Sequence, residues 1–86
     1  MAKKEWIEGT LGYNCENDRY GLLVSDLWVD KGFHCGECLQ IKVGGKWVDT
    51  SMEMDWSTSK GVWYLTGTEI RGEDIQYTRA RIQKYV

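Results

Sequence analysis

Polar and apolar residues alternate along most of this chain in short runs, with turn-forming residues between them. That period of two is the mark of half-buried strands, and no long stretch carries the 3.6-residue repeat of an amphipathic helix. Lys4 to Tyr13 reads as a first strand, with Trp6, Glu8 and Thr10 on one side and Glu5, Ile7 and Leu11 near the other. Gly9 and Gly12 interrupt it, which predicts a bulge or a close backbone approach. Asn14 to Asp18 is a polar turn and Arg19 to Val24 a second strand, so residues 6–24 predict a hairpin with Cys15 at its tip. Ser25 is placed to cap a short 3₁₀ turn within residues 25–32.

Glu37 to Val43 alternates as a strand. Val43-Gly44-Gly45-Lys46 predicts a two-residue hairpin turn, with Lys46 to Met52 returning. Residues 53–61 read as a loop or another helical turn, Val62 to Thr66 as a dense β run and Gly67 to Asp74 as a turn region. Tyr77 to Val86 is the last strand, with Tyr77, Arg79, Arg81, Gln83 and Tyr85 on one face and Thr78, Ala80, Ile82, Lys84 and Val86 on the other. The chain contains no proline. The prediction is a single domain over 1–86, mostly β: a small antiparallel bent sheet or SH3-like barrel of six short strands with one or two 3₁₀ or helical turns.

Composition adds an unusual aromatic load. Five tryptophans and five tyrosines in 86 residues are more than a core of this size can hide. The formal net charge of −2 argues against a non-specific nucleic-acid binder, which is usually strongly basic. The opening Met1-Ala2-Lys3-Lys4-Glu5 lacks an apolar run of signal-peptide length, and no segment approaches the length of a membrane span. With three cysteines and no targeting run, the expected compartment is the cytoplasm.

Those cysteines change the picture more. Gly32-Phe33-His34-Cys35-Gly36-Glu37-Cys38 holds the only histidine and a Cys-x-x-Cys pair around a glycine. If the fold brings the Cys15 turn to this knuckle, Cys15, Cys35, Cys38 and His34 form a Cys₃His set that fills a tetrahedral structural Zn²⁺ site. Adjacent His34 and Cys35 can share one metal only if the backbone turns between them. Asp18, Asp30, Glu37 or water are the alternatives for the fourth position. A Cys35–Cys38 disulfide leaves Cys15 unpaired, and a redox pair is expected at a helix N-terminus rather than before a strand. Three plain buried thiols remain the bland reading.

No phosphate loop, His-Glu-x-x-His or nucleophile elbow is present, and the zinc-deaminase pattern lacks its glutamate after His34. The expectation is therefore a protein that is not an enzyme. Two acidic-aromatic segments suit partner binding instead: Asp26, Trp28 and Asp30 in one, and Glu53, Asp55 and Trp56 in the other. Arg79, Arg81 and Lys84 form a weak basic strip that would serve a nucleic-acid-binding regulatory module.

The strings Tyr20-Gly21-Leu22-Leu23, Ser25-Asp26-Leu27-Trp28-Val29-Asp30, His34-Cys35-Gly36-Glu37, Gly45-Lys46-Trp47, Met52-Glu53-Met54-Asp55-Trp56 and Trp63-Tyr64-Leu65 carry a resemblance. From Thr10 to Ile82 the chain resembles a family of small uncharacterised domains from phages, plasmids and other mobile elements of Gram-positive bacteria. The resemblance implies a mobile-element context and no enzymatic activity. Small acidic proteins of that origin include anti-CRISPR inhibitors of Cas9-type effectors, whose channels are strongly basic. The first expectation is thus a zinc-stabilised interaction protein that binds such an effector and blocks its DNA loading or cleavage. The second is the nucleic-acid module, with direct nucleic-acid binding disfavoured by charge.

Overall fold

A computed structural model describes residues 3–85. The strands are β1 (Lys4–Asn14), β2 (Arg19–Val24), β3 (Leu27–Asp30), β4 (Cys38–Val43), β5 (Lys46–Asp55), β6 (Val62–Leu65) and β7 (Arg79–Tyr85). They form one seven-stranded sheet in the order β3-β2-β1-β7-β4-β5-β6, every described pairing antiparallel. Two three-strand meanders, β1–β3 and β4–β6, are joined by the C-terminal strand, which enters between β1 and β4. The sheet curls into a half-barrel, and among the described residues its one helical element is a 3₁₀ turn, Gly72–Ile75.

The curl comes from two long strands that change partners midway. β1 pairs with β7 from Lys4 to Thr10 and with β2 from Thr10 to Asn14. β5 pairs with β4 up to Ser51 and with β6 from Met52. A strand that serves two neighbours in succession must bend between them. At the β1 bend a Cβ on Gly9 would collide with the Leu23 carbonyl oxygen, so the close approach read from that glycine is real and excludes any side chain. The concave side carries the core. Leu11, Leu22, Phe33, Ile41, Met52, Leu65 and Ile75 are fully buried there, each worth about 1.5–3 kcal/mol by burial.

The two-residue turn at Gly44-Gly45 forms as predicted, with φ of +56° and +81°. Other boundaries move. Residues 27–30 form β3, not a 3₁₀ turn, and Ser25 and Asp26 make the β2–β3 hairpin turn with φ of 51° and 64°. A polar pair able to adopt positive φ, between Leu22-Leu23-Val24 and Leu27-Trp28-Val29, is a hairpin signal of the same kind as Gly-Gly. β5 runs on to Asp55, because Met52 and Met54 continue its alternation against β6. The 3₁₀ turn falls at 72–75 instead of 25–32 or 53–61. The last strand starts at Arg79, and Tyr77 lies in the preceding turn with φ 70°. Val86, expected to close that strand, is outside the described residues.

Candidate interaction surface

Alternation on the central strands sends Trp6, Arg81, Gln40, Lys42 and Trp47 to the convex side, since Ile82, Ala80, Leu39 and Ile41 face the core. There the Arg81 guanidinium lies 4.1 Å from the Trp6 ring centre and 4.3 Å from that of Trp47. Its Nε donates to Gln40 Oε1 at 2.9 Å, and Gln40 Nε2 donates to Asp49 Oδ1 at 2.7 Å. Lys42 Nζ stands 5.5 Å from the far indole. Arginine between two indoles gains from the negative ring faces and from flat stacking on both sides. Sequence reasoning singled out Arg81 and missed both tryptophans, which lie on strands distant in the chain.

The Arg79–Arg81–Lys84 strip is not three free charges. Arg79 Nη2 pairs with Glu8 Oε1 at 2.9 Å, Arg81 is stacked, and Lys84 Nζ donates to the Val29 carbonyl at 3.1 Å. The Arg79 guanidinium, by its hydrogen bond, holds the Glu8 carboxyl below its usual range.

The two acidic-aromatic segments end on opposite edges of the sheet order. Asp26 sits in the β2–β3 turn, and the half-buried Trp28 lays its indole over the backbone at Gly12 and Gly21. Asp30 Oδ1 accepts from the Gly32 N–H at 3.0 Å. Glu53 and Asp55 end β5, and Trp56 beyond them is 70% exposed. Asp55 accepts from the Ser57 N–H at 2.8 Å and pairs with Arg71 at 2.8 Å; these bonds, that from Ser57 first, lower its pKa to about 2. Leu27, 72% exposed, adds an apolar side chain at the first segment.

The loops carrying the cysteines do adjoin. Asn14 and Asn17 Nδ2 both donate to the Lys31 carbonyl at 3.0 Å, and Arg19 Nη1 donates to that of Phe33 at 3.0 Å. The backbone also turns between His34 and Cys35: the Glu37 N–H bonds the His34 carbonyl, with Gly36 at φ 83° as in a type II turn. Even so, the ligands do not converge. Cys15, Cys35 and Cys38 are free and exposed, which also removes the buried-thiol reading. Among the described residues no three His, Cys, Asp or Glu side chains are grouped so as to hold a metal ion. Cys38 follows the outward alternation of β4 toward Trp6 and Gln40, whereas Cys15 stands by Tyr13 at another turn. As placed, these four residues are not gathered into a Cys₃His centre.

Glu37 folds back over its own turn, its Oε1 accepting from the His34 N–H at 3.0 Å. Burial, with the Asp30 carboxylate nearby, raises its pKa against that bond. On another side of the molecule a cleft of about 620 Å³ is lined by Tyr13, Tyr20, Glu73, Gln76 and Tyr77. No sequence motif announces it, because β1, β2 and the segment around the 3₁₀ turn each supply part. Among the described residues no helix is long and apolar enough to cross a membrane.

Neither the curated proteins nor the solved structures contain a match to this chain. Residues 9–82, from midway along β1 to midway along β7, match one family, and the chain belongs to it: DUF5348, a domain of unknown function.

Proposed function

We propose that this protein is a non-catalytic binding domain acting in the cytoplasm of a bacterial host, and that its partner is a protein. One observation carries the reading: of five tryptophans only Trp63 is buried in the core. Trp6 and Trp56 are exposed, and Trp28 and Trp47 are half-buried. Tryptophan left at a surface is the commonest anchor of a protein interface, and its burial on binding offsets the cost of association. Asp26 and Asp30 bracket Trp28 along the chain, Glu53 and Asp55 precede Trp56, and these carboxylates suit a basic partner.

In its specific form the partner is a Cas9-type effector, which the chain binds as a mobile-element anti-CRISPR inhibitor that blocks DNA loading or cleavage. The test is co-purification and cleavage inhibition with a panel of such effectors. Trp56→Ala and Asp26→Asn/Asp30→Asn should weaken both while leaving the circular dichroism spectrum unchanged. No binding or inhibition across the panel defeats the effector reading. Binding untouched by these variants defeats the assigned surface.

A structural zinc ion belongs to the same proposal. Cys15, Cys35, Cys38 and His34 would have to move together to hold it. The adjoining loops and the tight turn at Gly36 support that reading. Elemental analysis of protein purified without chelator, with a melt in EDTA, tests it: about one zinc per chain and a collapsed melt are expected, and metal-free protein with an unchanged melt removes zinc.

The convex face favours a second reading. Trp6, Trp47, Arg81 and Lys42 on one side of an antiparallel sheet resemble a stacking platform for single-stranded nucleic acid. Salt-dependent binding of an oligonucleotide, weakened by Arg79→Ala and Arg81→Ala, would favour it over a protein partner. No gel shift at low salt would exclude it.

A further inference from the structure

We infer that the cleft between Tyr13, Tyr20 and Tyr77 is a receptor for the cationic side chain of a partner protein, an arginine or a lysine, with Glu73 as its counter-charge. Tyr13 and Tyr20 face each other across β1 and β2, their ring centres 5.4 Å apart and their planes at 64°. Tyr77 closes the other side; it is 78% exposed and held at φ 70°. A bulky residue kept in that backbone region is worth attention, because the surroundings must enforce it. Here they do: the Tyr77 N–H bonds the Leu11 carbonyl at 2.8 Å, and the Thr78 N–H that of Ile75 at 3.1 Å.

Two hydroxyls are already committed. Tyr20 donates to the Gly72 carbonyl at 3.0 Å, and Tyr13 donates to Asp18 Oδ1. The rings are thereby fixed, with the buried Tyr20 as floor of the cleft and Tyr13, 40% exposed, as its wall. Gln76 is committed too, its Oε1 accepting from the Tyr13 N–H at 3.2 Å. That leaves the Glu73 carboxylate as the charged acceptor in the wall. Burial first, and then the carboxylates of Glu73 and Asp18, raise the Tyr20 pKa, which places two negative charges near the cleft. Aromatic faces with a carboxylate select cations over neutral groups of the same size.

The chain itself demonstrates the preference at its other aromatic sites. Arg81, Lys42, Arg19 and Lys4 each cover a tryptophan or tyrosine ring. Among the described residues no lysine or arginine is placed over Tyr13, Tyr20 or Tyr77. A cleft of about 620 Å³ has room for a guanidinium or ammonium together with its aliphatic stem.

The site uses none of the residues assigned to the Asp–Trp segments and does not rest on the effector reading, although Arg71, two residues before Glu73, pairs with Asp55 of one segment. Its test is a ¹⁵N NMR titration of the intact chain with capped Gly-Arg-Gly and Gly-Lys-Gly peptides, with Gly-Gln-Gly as control. Saturable shifts are expected at the amides of Tyr13, Gln76 and Tyr77 with at least one cationic peptide and not with the control. Glu73→Gln and Tyr77→Ala should each weaken binding about fivefold, whereas Glu5→Gln, on β1, should not. Spectra that stay native away from the cleft separate loss of the site from loss of the fold. No saturable shift, equal response to the glutamine peptide, or binding indifferent to both cleft variants overturns the inference. The experiment contains no effector, so its failure is distinct from failure of the proposed function.

Discussion

Two aromatic assemblies on this small sheet make opposite use of the same chemistry. On the convex face, Trp6 and Trp47 enclose a cation supplied by the chain, Arg81, at 4.1 and 4.3 Å. Near the 3₁₀ turn, Tyr13, Tyr20 and Tyr77 border a cleft beside Glu73. The first is a closed interaction that ties three strands together: β1, β7 and β5. Over the rings of the second, no lysine or arginine is placed among the described residues. Aromatic content alone thus says nothing about role; what matters is whether a neighbouring strand delivers a partner to the ring faces.

The largest effect is expected from Tyr20→Ala. Tyr20 is both wall of the cleft and part of the core, so its loss should cost about 3–5 kcal/mol in urea unfolding, with Tyr20→Phe costing about 1 kcal/mol for the bond to Gly72. A cost below about 1 kcal/mol for the alanine variant would mean that the cleft floor is not core. Next comes Arg81→Ala, expected to destabilise by about 1–2 kcal/mol and to alter tryptophan emission as both indoles lose their shared neighbour. Arg81→Lys should restore only part of this, because an ammonium cannot stack flat on two rings.

Smaller effects sharpen the contrast. Tyr77→Ala and Glu73→Gln should each change stability by no more than about 0.5 kcal/mol, since both residues line the cleft without belonging to the core. A large loss in either would make the cleft a structural feature. The smallest effect is a titration. The hydrogen bond to Asp18 raises the Tyr13 pKa, and burial raises that of Tyr20. Both hold their protons to higher pH in the folded than in the unfolded state. Their contribution is fully present below the ordinary tyrosine value of about 10 and is lost as pH rises through the raised folded values. Ultraviolet absorbance should show these two ionising above the ordinary tyrosine value, and ionisation of both at that value would contradict the geometry.

Much of the fold was legible because its signals are local. Period-two alternation located most strands, Gly44-Gly45 located a turn, and Gly9 marked the bend of β1. The misses have physical causes. Ser25-Asp26 reads equally as a helix cap or a positive-φ turn, and only the pairing of Leu27 to Asp30 with β2 decides between them. The extension of β5 through Met54 depends on β6, which supplies its edge.

The candidate surfaces were less legible than the fold. The acidic neighbours of Trp56 mark a candidate binding segment without deciding whether its ring is exposed, and nothing near Trp6 or Trp47 reveals that β7 will bring Arg81 between them. The cysteines teach the same lesson in reverse. Spacing put Cys35 and Cys38 in one tight turn, but β4 alternation directs Cys38 outward and away from Cys15.

A small all-β domain with a strongly bent sheet, and with more tryptophan than its core could hold, is legible in the residues alone. Those properties follow from the order of neighbouring residues, and the physics that reads them acts over a few positions. The tertiary structure alone decided which ring meets which charge. A cation–π stack or a cleft requires strands far apart in the chain to share a face. That pairing is set by β7 entering between β1 and β4, through hydrogen bonds that any sequence can make, and not by a motif in any one strand.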